Sequence, residues 1–333
     1  MNMKKRYIGA AAAALALILA GCAAPSGGDA SPSEPGGAQE LETDVVRYGT
    51  FSTGNSSIEV LVGMDTGAFS DVGIDVEQQN VATTAALVPL LASNQVDLAY
   101  LSYPVALSAL AAGVDISLAG ATQNLAPGVQ ALYVSSDSDI TELEGLEGKR
   151  IGLNAVGGYG DVLLGEALAT VGMTLDDVEL VEVQFSNTIT ALEAGEIDAG
   201  WLSTPFIARA KADPNKLARE LVDFNDIPSL TDLPQGGSVV TGSFLRDAPV
   251  TLRTFMKAMQ EVGDSLSADP DFQRERTAAI ADYPPAVAEV VALSEYQGTV
   301  SIDKLMRVVD LQQKYGQLSG EVDIEAFAAA QIQ

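Results

Sequence analysis

Side chains that hydrogen-bond without carrying charge, together with aromatic rings, collect where this chain should turn from strand into helix. They are Ser52, Thr53, Asn55 and Ser56, then Thr83 and Thr84, then Tyr100, Ser102 and Tyr103, then Thr122 and Gln123. A second set follows as Asn154, Gly158 and Tyr159, then Ser186 and Asn187, then Trp201, Ser203 and Thr204. Hydroxyls, amides and the free backbone N–H groups of a helix N-terminus can hold a solute, an anion included, without a cationic side chain. Tyr100 and Trp201 could clamp an apolar or planar part of that solute. The plainer readings stand beside these: Ser, Thr and Asn commonly cap helices, and strand alternation also allows Trp201 to be core.

Bond-making chemistry is poorly served by this inventory. The chain has no histidine and a single cysteine, Cys22, so it can assemble neither a Ser–His or Cys–His pair nor an imidazole metal site. No metal and no cofactor are expected. The loop Gly157-Gly158-Tyr159-Gly160 lacks the Lys-Ser/Thr of a nucleotide P-loop and the spacing of a dinucleotide fingerprint. Asp161, just behind it, complements a helix start or meets a cationic or amide group. Capture of a solute, not its conversion, is the expected task.

Residues at strand tips act together only if the elements behind them point the tips the same way. Periodicity predicts strands over 45–50, 74–79, 96–101 and 116–121, with helices over 58–68, 84–93 and 104–112. The same order returns: strands over 150–154, 178–183 and 197–202, helices over 161–171, 188–194 and 205–211. Val96-Asp97-Leu98-Ala99-Tyr100-Leu101-Ser102-Tyr103-Pro104 aligns with Ile197-Asp198-Ala199-Gly200-Trp201-Leu202-Ser203-Thr204-Pro205. Such a duplication predicts an α/β fold of two lobes, each a mostly parallel sheet flanked by helices. One long Rossmann-type sheet would also repeat β and α. The turn-rich stretches near 135–139 and 226–237 favour two chain crossings instead. The expected division is 44–135 with 237–333 for lobe one and 136–236 for lobe two. Helices over 249–262, 285–296 and 301–315 would complete lobe one. In open α/β sheets a ligand binds beyond the carboxyl ends of the strands, so the cleft between the lobes is the expected site.

The ends of the chain carry address information. Lys4, Lys5 and Arg6 precede a short apolar run, which reads as a secretion signal over 1–21. Leu19-Ala20-Gly21-Cys22 looks like the lipobox of bacterial lipoproteins, with Cys22 diacylated and anchored to the outer face of the cell membrane; a secreted protein with a stray cysteine is the alternative. Residues 22–43, rich in Gly, Pro and Ser, read as a flexible tether. A formal charge of −27 repels nucleic acid, which is therefore no expected partner. A monomer is expected.

The segments Leu146-Glu147-Gly148-Lys149-Arg150-Ile151-Gly152 and Ala191-Leu192-Glu193-Ala194-Gly195-Glu196-Ile197-Asp198-Ala199 resemble the nitrate, taurine, aliphatic-sulfonate and thiamine-precursor substrate-binding proteins of ABC importers. The likeness covers roughly residues 45–330. It implies the periplasmic-binding type II fold, hinge closure on a small solute, and a permease and an ATPase as partners. The family includes no fixed ligand, and no Arg or Lys falls at an expected cleft edge here. Two other functions share the fold or the anchor. A lipid-anchored sensor would bind solute and feed no transporter. A thiamine-pyrimidine synthase would need the histidine and cysteine-rich motif that its relatives use, which this chain lacks.

Overall fold

The computed structural model describes residues 40–51 and 57–331. The expected signal, Cys22, most of the tether, and Ser52, Thr53, Asn55 and Ser56 lie outside the described residues.

Two five-stranded sheets organise the chain. The first contains β1 (Val45–Phe51), β2 (Asp75–Val81), β3 (Leu98–Ser102) and β4 (Ile116–Asn124), with helices α1 (Ile58–Thr66), α2 (Val88–Ala92) and α3 (Tyr103–Ala111) between them. The chain then builds β5 (Gln130–Ser135), β6 (Arg150–Leu153), α4 (Tyr159–Ala169), β7 (Glu179–Glu182), α5 (Phe185–Glu193), β8 (Ala199–Ser203), α6 (Phe206–Ala212) and β9 (Ala218–Asp223). It returns through β10 (Pro234–Thr241), followed by helices α7 (Gly242–Asp247), α8 (Pro249–Ala268), α9 (Pro270–Ile280), α10 (Pro285–Val290), α11 (Ile302–Lys314) and α12 (Ile324–Ala328). Strand order is β2-β1-β3-β10-β4 in one sheet and β7-β6-β8-β5-β9 in the other. In each, one strand runs against its neighbours: β10 against β3 and β4, β5 against β8 and β9. The two sheets are one topology used twice, as the aligned segments require.

The central strands explain themselves by composition. Leu98, Ala99, Tyr100 and Leu101 of β3 are buried, as are Ala199, Trp201 and Leu202 of β8, the unbroken apolar run expected of a strand covered on both faces. A matching ion pair fastens each. Asp97 accepts the backbone N–H of Arg47 at 2.9 Å and pairs with its guanidinium, while Asp198 accepts the backbone N–H of Arg150 at 2.9 Å and pairs likewise. Each arginine also donates to the carbonyl of a left-handed residue in the preceding turn, Asn94 or Gly195. These pairs sit at the amino ends of the strands, so the carboxyl ends are left for other work.

Three expectations are corrected. β5 joins the second sheet, so the first crossing lies over 125–129 and not near 135–139, and the second lobe starts before residue 136. β10 begins at Pro234, which brings Gln235 and Gly236 into the first sheet. The strands β5 and β9 interrupt the β-α alternation, and a periodicity reading of alternating units passes over them. The return helices also do more than complete lobe one. The expected helix over 285–296 ends at Val290, and its Val287 packs with Val291 and with Ala208 of α6 in the second lobe. Helix α11 reaches both lobes: Gln312 donates to the Pro104 carbonyl of α3 at 3.0 Å, and Arg307 donates to the carbonyls of Ser229 and Thr231 in the second crossing. At its end Tyr315 lies flush on Gly165 of α4, where a Cβ would meet the ring.

Glu166 of α4 receives that end. It accepts from Lys314 Nζ and, at 2.7 Å, from the Tyr315 hydroxyl. Burial raises the Glu166 carboxyl, and the hydrogen bonds from Lys314, Ser229 and Tyr315 together outweigh that and hold it below its ordinary value of 4.5. A depressed folded pKa stabilises the fold at pH above the ordinary value, and the contribution is lost as pH falls through the depressed one. Replacing Glu166 by Gln should therefore lower Tm at pH 7, and the gap to the unsubstituted protein should narrow on acidification below about 4.5. A gap independent of pH in thermal unfolding would show that packing, not the carboxylate, secures α11.

Candidate functional site

The carboxyl ends of both sheets border one cavity of about 140 Å³. From the first lobe, Phe51 ends β1, Thr83, Thr84 and Ala85 follow β2, Tyr100 and Ser102 close β3, and Val105 stands in the first turn of α3. From the second, Asn154, Ala155, Gly158 and Tyr159 form the turn into α4, Phe185 opens α5, and Trp201 and Ser203 close β8. Gln130 and Gln235, just past the two crossings, complete the lining. Thus Thr83, Thr84, Tyr100, Ser102, Asn154, Gly158, Tyr159, Trp201 and Ser203 come together as expected of strand tips in a two-lobed fold.

Rings dominate both walls. Phe51 stacks on Tyr100 with centroids 5.8 Å apart, Phe185 meets Trp201 edge to face at 4.8 Å, and Tyr159 lies tilted to Trp201 at 6.5 Å. Each contact fixes a ring that also lines the cavity. Trp201 is held most firmly, because its Nε1–H donates to Gln130 Oε1 at 2.7 Å and Gly160 of α4 lies against its six-membered ring. The indole N–H is therefore already engaged and is not left for a guest.

Hydroxyls at the tips are free of the capping duty that competes with ligand binding. Ser102 stands at the N-cap of α3 but makes no side-chain cap bond, and Pro104 at the second helical position removes one of the two N–H groups such a cap could bind. Thr83 likewise precedes its helical turn without capping it. At α4 the cap is Gly158, and Asp161 braces the turn by accepting the Gly157 N–H at 2.8 Å. Burial raises the Asp161 carboxyl, opposed by the backbone bonds of Gly157 and Gly158. Its role is the helix start. The Tyr159 hydroxyl is buried with no hydrogen-bond partner among the described residues, and burial pushes the phenol well above its ordinary value. It stays a neutral donor.

Among the described residues, no lining residue is Asp, Glu, Lys or Arg. A guest here meets ring faces, hydroxyls and amides.

Other expected residues go elsewhere. Tyr103 is fully buried beneath Gly237 in the core of the first lobe, because a residue at the first helical position after Ser102 turns back under the sheet. The Thr122 hydroxyl donates to the Gly236 carbonyl at 3.1 Å, holding the irregular β4–β10 pairing, and Gln123 is buried where its backbone bridges Tyr296. Thr204 donates its hydroxyl to the Gly128 carbonyl at 3.1 Å and so binds the first crossing. Asn187 lies a turn into α5, beside Glu182, Gln184 and Thr190 at a different surface. Conversely, Phe51, Val105, Phe185, Gln130 and Gln235 were outside the expected set. Gln235 had a signal, as a polar side chain between Pro234 and Gly236 at an expected crossing; the apolar residues had none beyond their place next to a strand tip.

Residues 55–272 match the family model described as NMT1/THI5 like. A protein of Brucella abortus named as a binding protein is 23% identical over 267 residues, 79% of each chain. A protein of Brachyspira hyodysenteriae named as a periplasmic binding protein of an ABC transporter is 28% identical over 159 residues, 43% of each. The alkanesulfonate-binding protein SsuA of Xanthomonas axonopodis superposes with a TM-score of 0.73 at 19% identity, covering 88% of this chain and 99% of its own, a likeness of fold. One relative has an enzyme's name, the 4-amino-5-hydroxymethyl-2-methylpyrimidine phosphate synthase of Uromyces fabae, 24% identical over 228 residues and 64% of each chain.

A Cβ at residue 160 would fall 2.6 Å from Trp201 Cε3. Replacing Gly160 by Ala should therefore cost about 1–3 kcal/mol of stability and shift the emission of Trp201, the sole tryptophan. Unchanged emission in a folded variant would mean that the ring is not seated against α4.

Proposed function

Because the chain belongs to the NMT1/THI5-like family, we propose that it is the extracytoplasmic solute-binding component of an ABC importer. It captures one small planar solute between its lobes and delivers it to a permease driven by an ATPase. The observation that supports this reading is a cavity bordered by both lobes, walled by rings from each and, among the described residues, lined by no Asp, Glu, Lys or Arg. Its volume of about 140 Å³ compares with the roughly 150 Å³ apolar cavity that accepts benzene. One ring with a few polar substituents is the right size. Contacts made to both lobes at once favour the closed arrangement, so closure is a population shift driven by the guest. In the same reading, residues 1–21 are removed on export, Cys22 is lipidated, and a tether shorter than expected from the sequence joins a monomeric body to the membrane, since Glu42 already accepts the Val250 and Thr251 N–H groups at the start of α8.

The solute is expected to be uncharged where it is enclosed. An anion would have to rely on hydroxyls, amides and the N-terminal turn of α4, while the net charge of −27 opposes its approach. The synthase named among the relatives is a second reading. A chain without histidine and with its one cysteine at position 22 cannot supply the imidazole base or the cysteine-rich motif that reading calls for.

A thermal-shift screen of pyrimidines, aromatic carboxylates, alkanesulfonates and nitrate tests the proposal. A true solute at 100 times its dissociation constant should add about 2.7 kcal/mol of stability. Pyrimidine-like rings should shift Tm, and Ser102→Ala or Ser203→Ala should weaken the best hit by about 0.5–1.5 kcal/mol each. A response confined to nitrate or sulfonates would overturn the uncharged solute, and affinity unaffected by either serine would overturn the site. For the anchor, Cys22→Ser should release the protein from membranes into the medium; retention on membranes would refute lipidation at that residue.

A further inference from the structure

Two buried glutamines stand among the residues that line the cavity, at 7% and 4% exposure for Gln130 and Gln235. Enclosing two primary amides is costly unless they are bonded, and apolar side chains of similar length would fill the space as well. Their bonds form a directed chain. Trp201 Nε1 donates to Gln130 Oε1 at 2.7 Å, Gln130 Nε2 donates to Gln235 Oε1 at 2.8 Å, and Gln235 Nε2 donates to the Asn124 carbonyl at 2.8 Å. The first two residues belong to the second sheet and the last two to the first. Gln130 opens the strand after one crossing and Gln235 lies in the strand after the other, so the chain passes between the lobes at their junction.

We propose that Gln130 and Gln235 are positioning residues that act as one unit, holding the Trp201 indole at a set angle to the cavity and coupling that angle to the first lobe. The inference rests on the cavity being the binding site for its use, though not for its test. Hydrogen bonds in series polarise one another, and an acceptor fixed at its far side holds its donor better than a free one. Breaking the chain at Gln235 should therefore be felt at Trp201 although the two side chains share no hydrogen bond. A rigid indole face selects flat guests and excludes those that need the ring to swing away.

The sole tryptophan provides a single indole N–H resonance, readable in the nitrogen-15-labelled protein with no solute added. Gln130→Met, similar in size and without an amide, should move that resonance upfield by removing its acceptor. Gln235→Met should move it in the same direction by less, and the double variant should move it no further than Gln130→Met alone. If Gln235→Met leaves the resonance at its wild-type position, or if the two shifts add, the unit does not exist and the proposal is overturned. Should Gln235→Met lose the dispersed amide spectrum of a folded chain, Gln235→Asn, which withdraws the amide by one methylene, is judged by the same outcomes. A solute screen without hits would sink the proposed function and leave this result standing.

Discussion

Everything at the cavity depends on the two chain crossings running side by side. The segment after β4 and the segment before β10 are tied by a backbone bond from Leu125 N–H to the Leu233 carbonyl at 2.7 Å, and each crossing delivers a strand that runs against its new neighbours. Antiparallel insertion places the start of β5 and of β10 beside the carboxyl ends of β8 and β3, where Gln130 pairs with Ser203 and Gly236 with Ser102. One backbone arrangement thus brings both sets of strand tips, and both glutamines, to the same place. Helix α11 adds a third connection by engaging α3 and α4 together, which limits how the lobes can turn about the crossings.

The electrostatic character of the molecule divides by location. Acidic side chains outnumber basic ones 45 to 18, yet among the described residues none of either kind lines the cavity. In a confined, partly apolar space an ionised group would cost solvation unless a partner met it. Ring faces, hydroxyls and a neutral phenol at Tyr159 avoid that cost and leave discrimination to shape and to a few directed donors. In each wall the rings are paired, Phe185 with Trp201 and Phe51 with Tyr100.

Much of this was legible in the residues. The duplicated segment ending Leu-Ser-Tyr-Pro and Leu-Ser-Thr-Pro located both central strands and predicted that Tyr100 and Trp201 would hold equivalent places. The second crossing was visible as a break in rhythm over 226–237, whereas the first was expected after β5 and lies before it. What escaped were features that depend on pairing at a distance. β5 reads as a short apolar run whose partner, β8, begins more than sixty residues later, so its antiparallel insertion has no local mark. Tyr103 and Thr122 illustrate a second difficulty: being next to a strand tip does not say whether a side chain turns toward the gap or under the sheet, and both turn under. Gln130 belongs to the first class and Phe51 to the second, for the same physical reasons.

The two arginine–aspartate pairs lie at the opposite end of each sheet from the cavity, Arg47 with Asp97 and Arg150 with Asp198. Register is thereby secured where no guest reaches. The tips at the cavity are relieved of that duty, so exchanging a hydroxyl such as that of Ser102 or Ser203 leaves the pairing of the strands that present them intact. A frame of this kind can acquire a new guest through a handful of substitutions while its foundation stays as it was, and two copies of that frame in one chain allow each half to be retuned on its own.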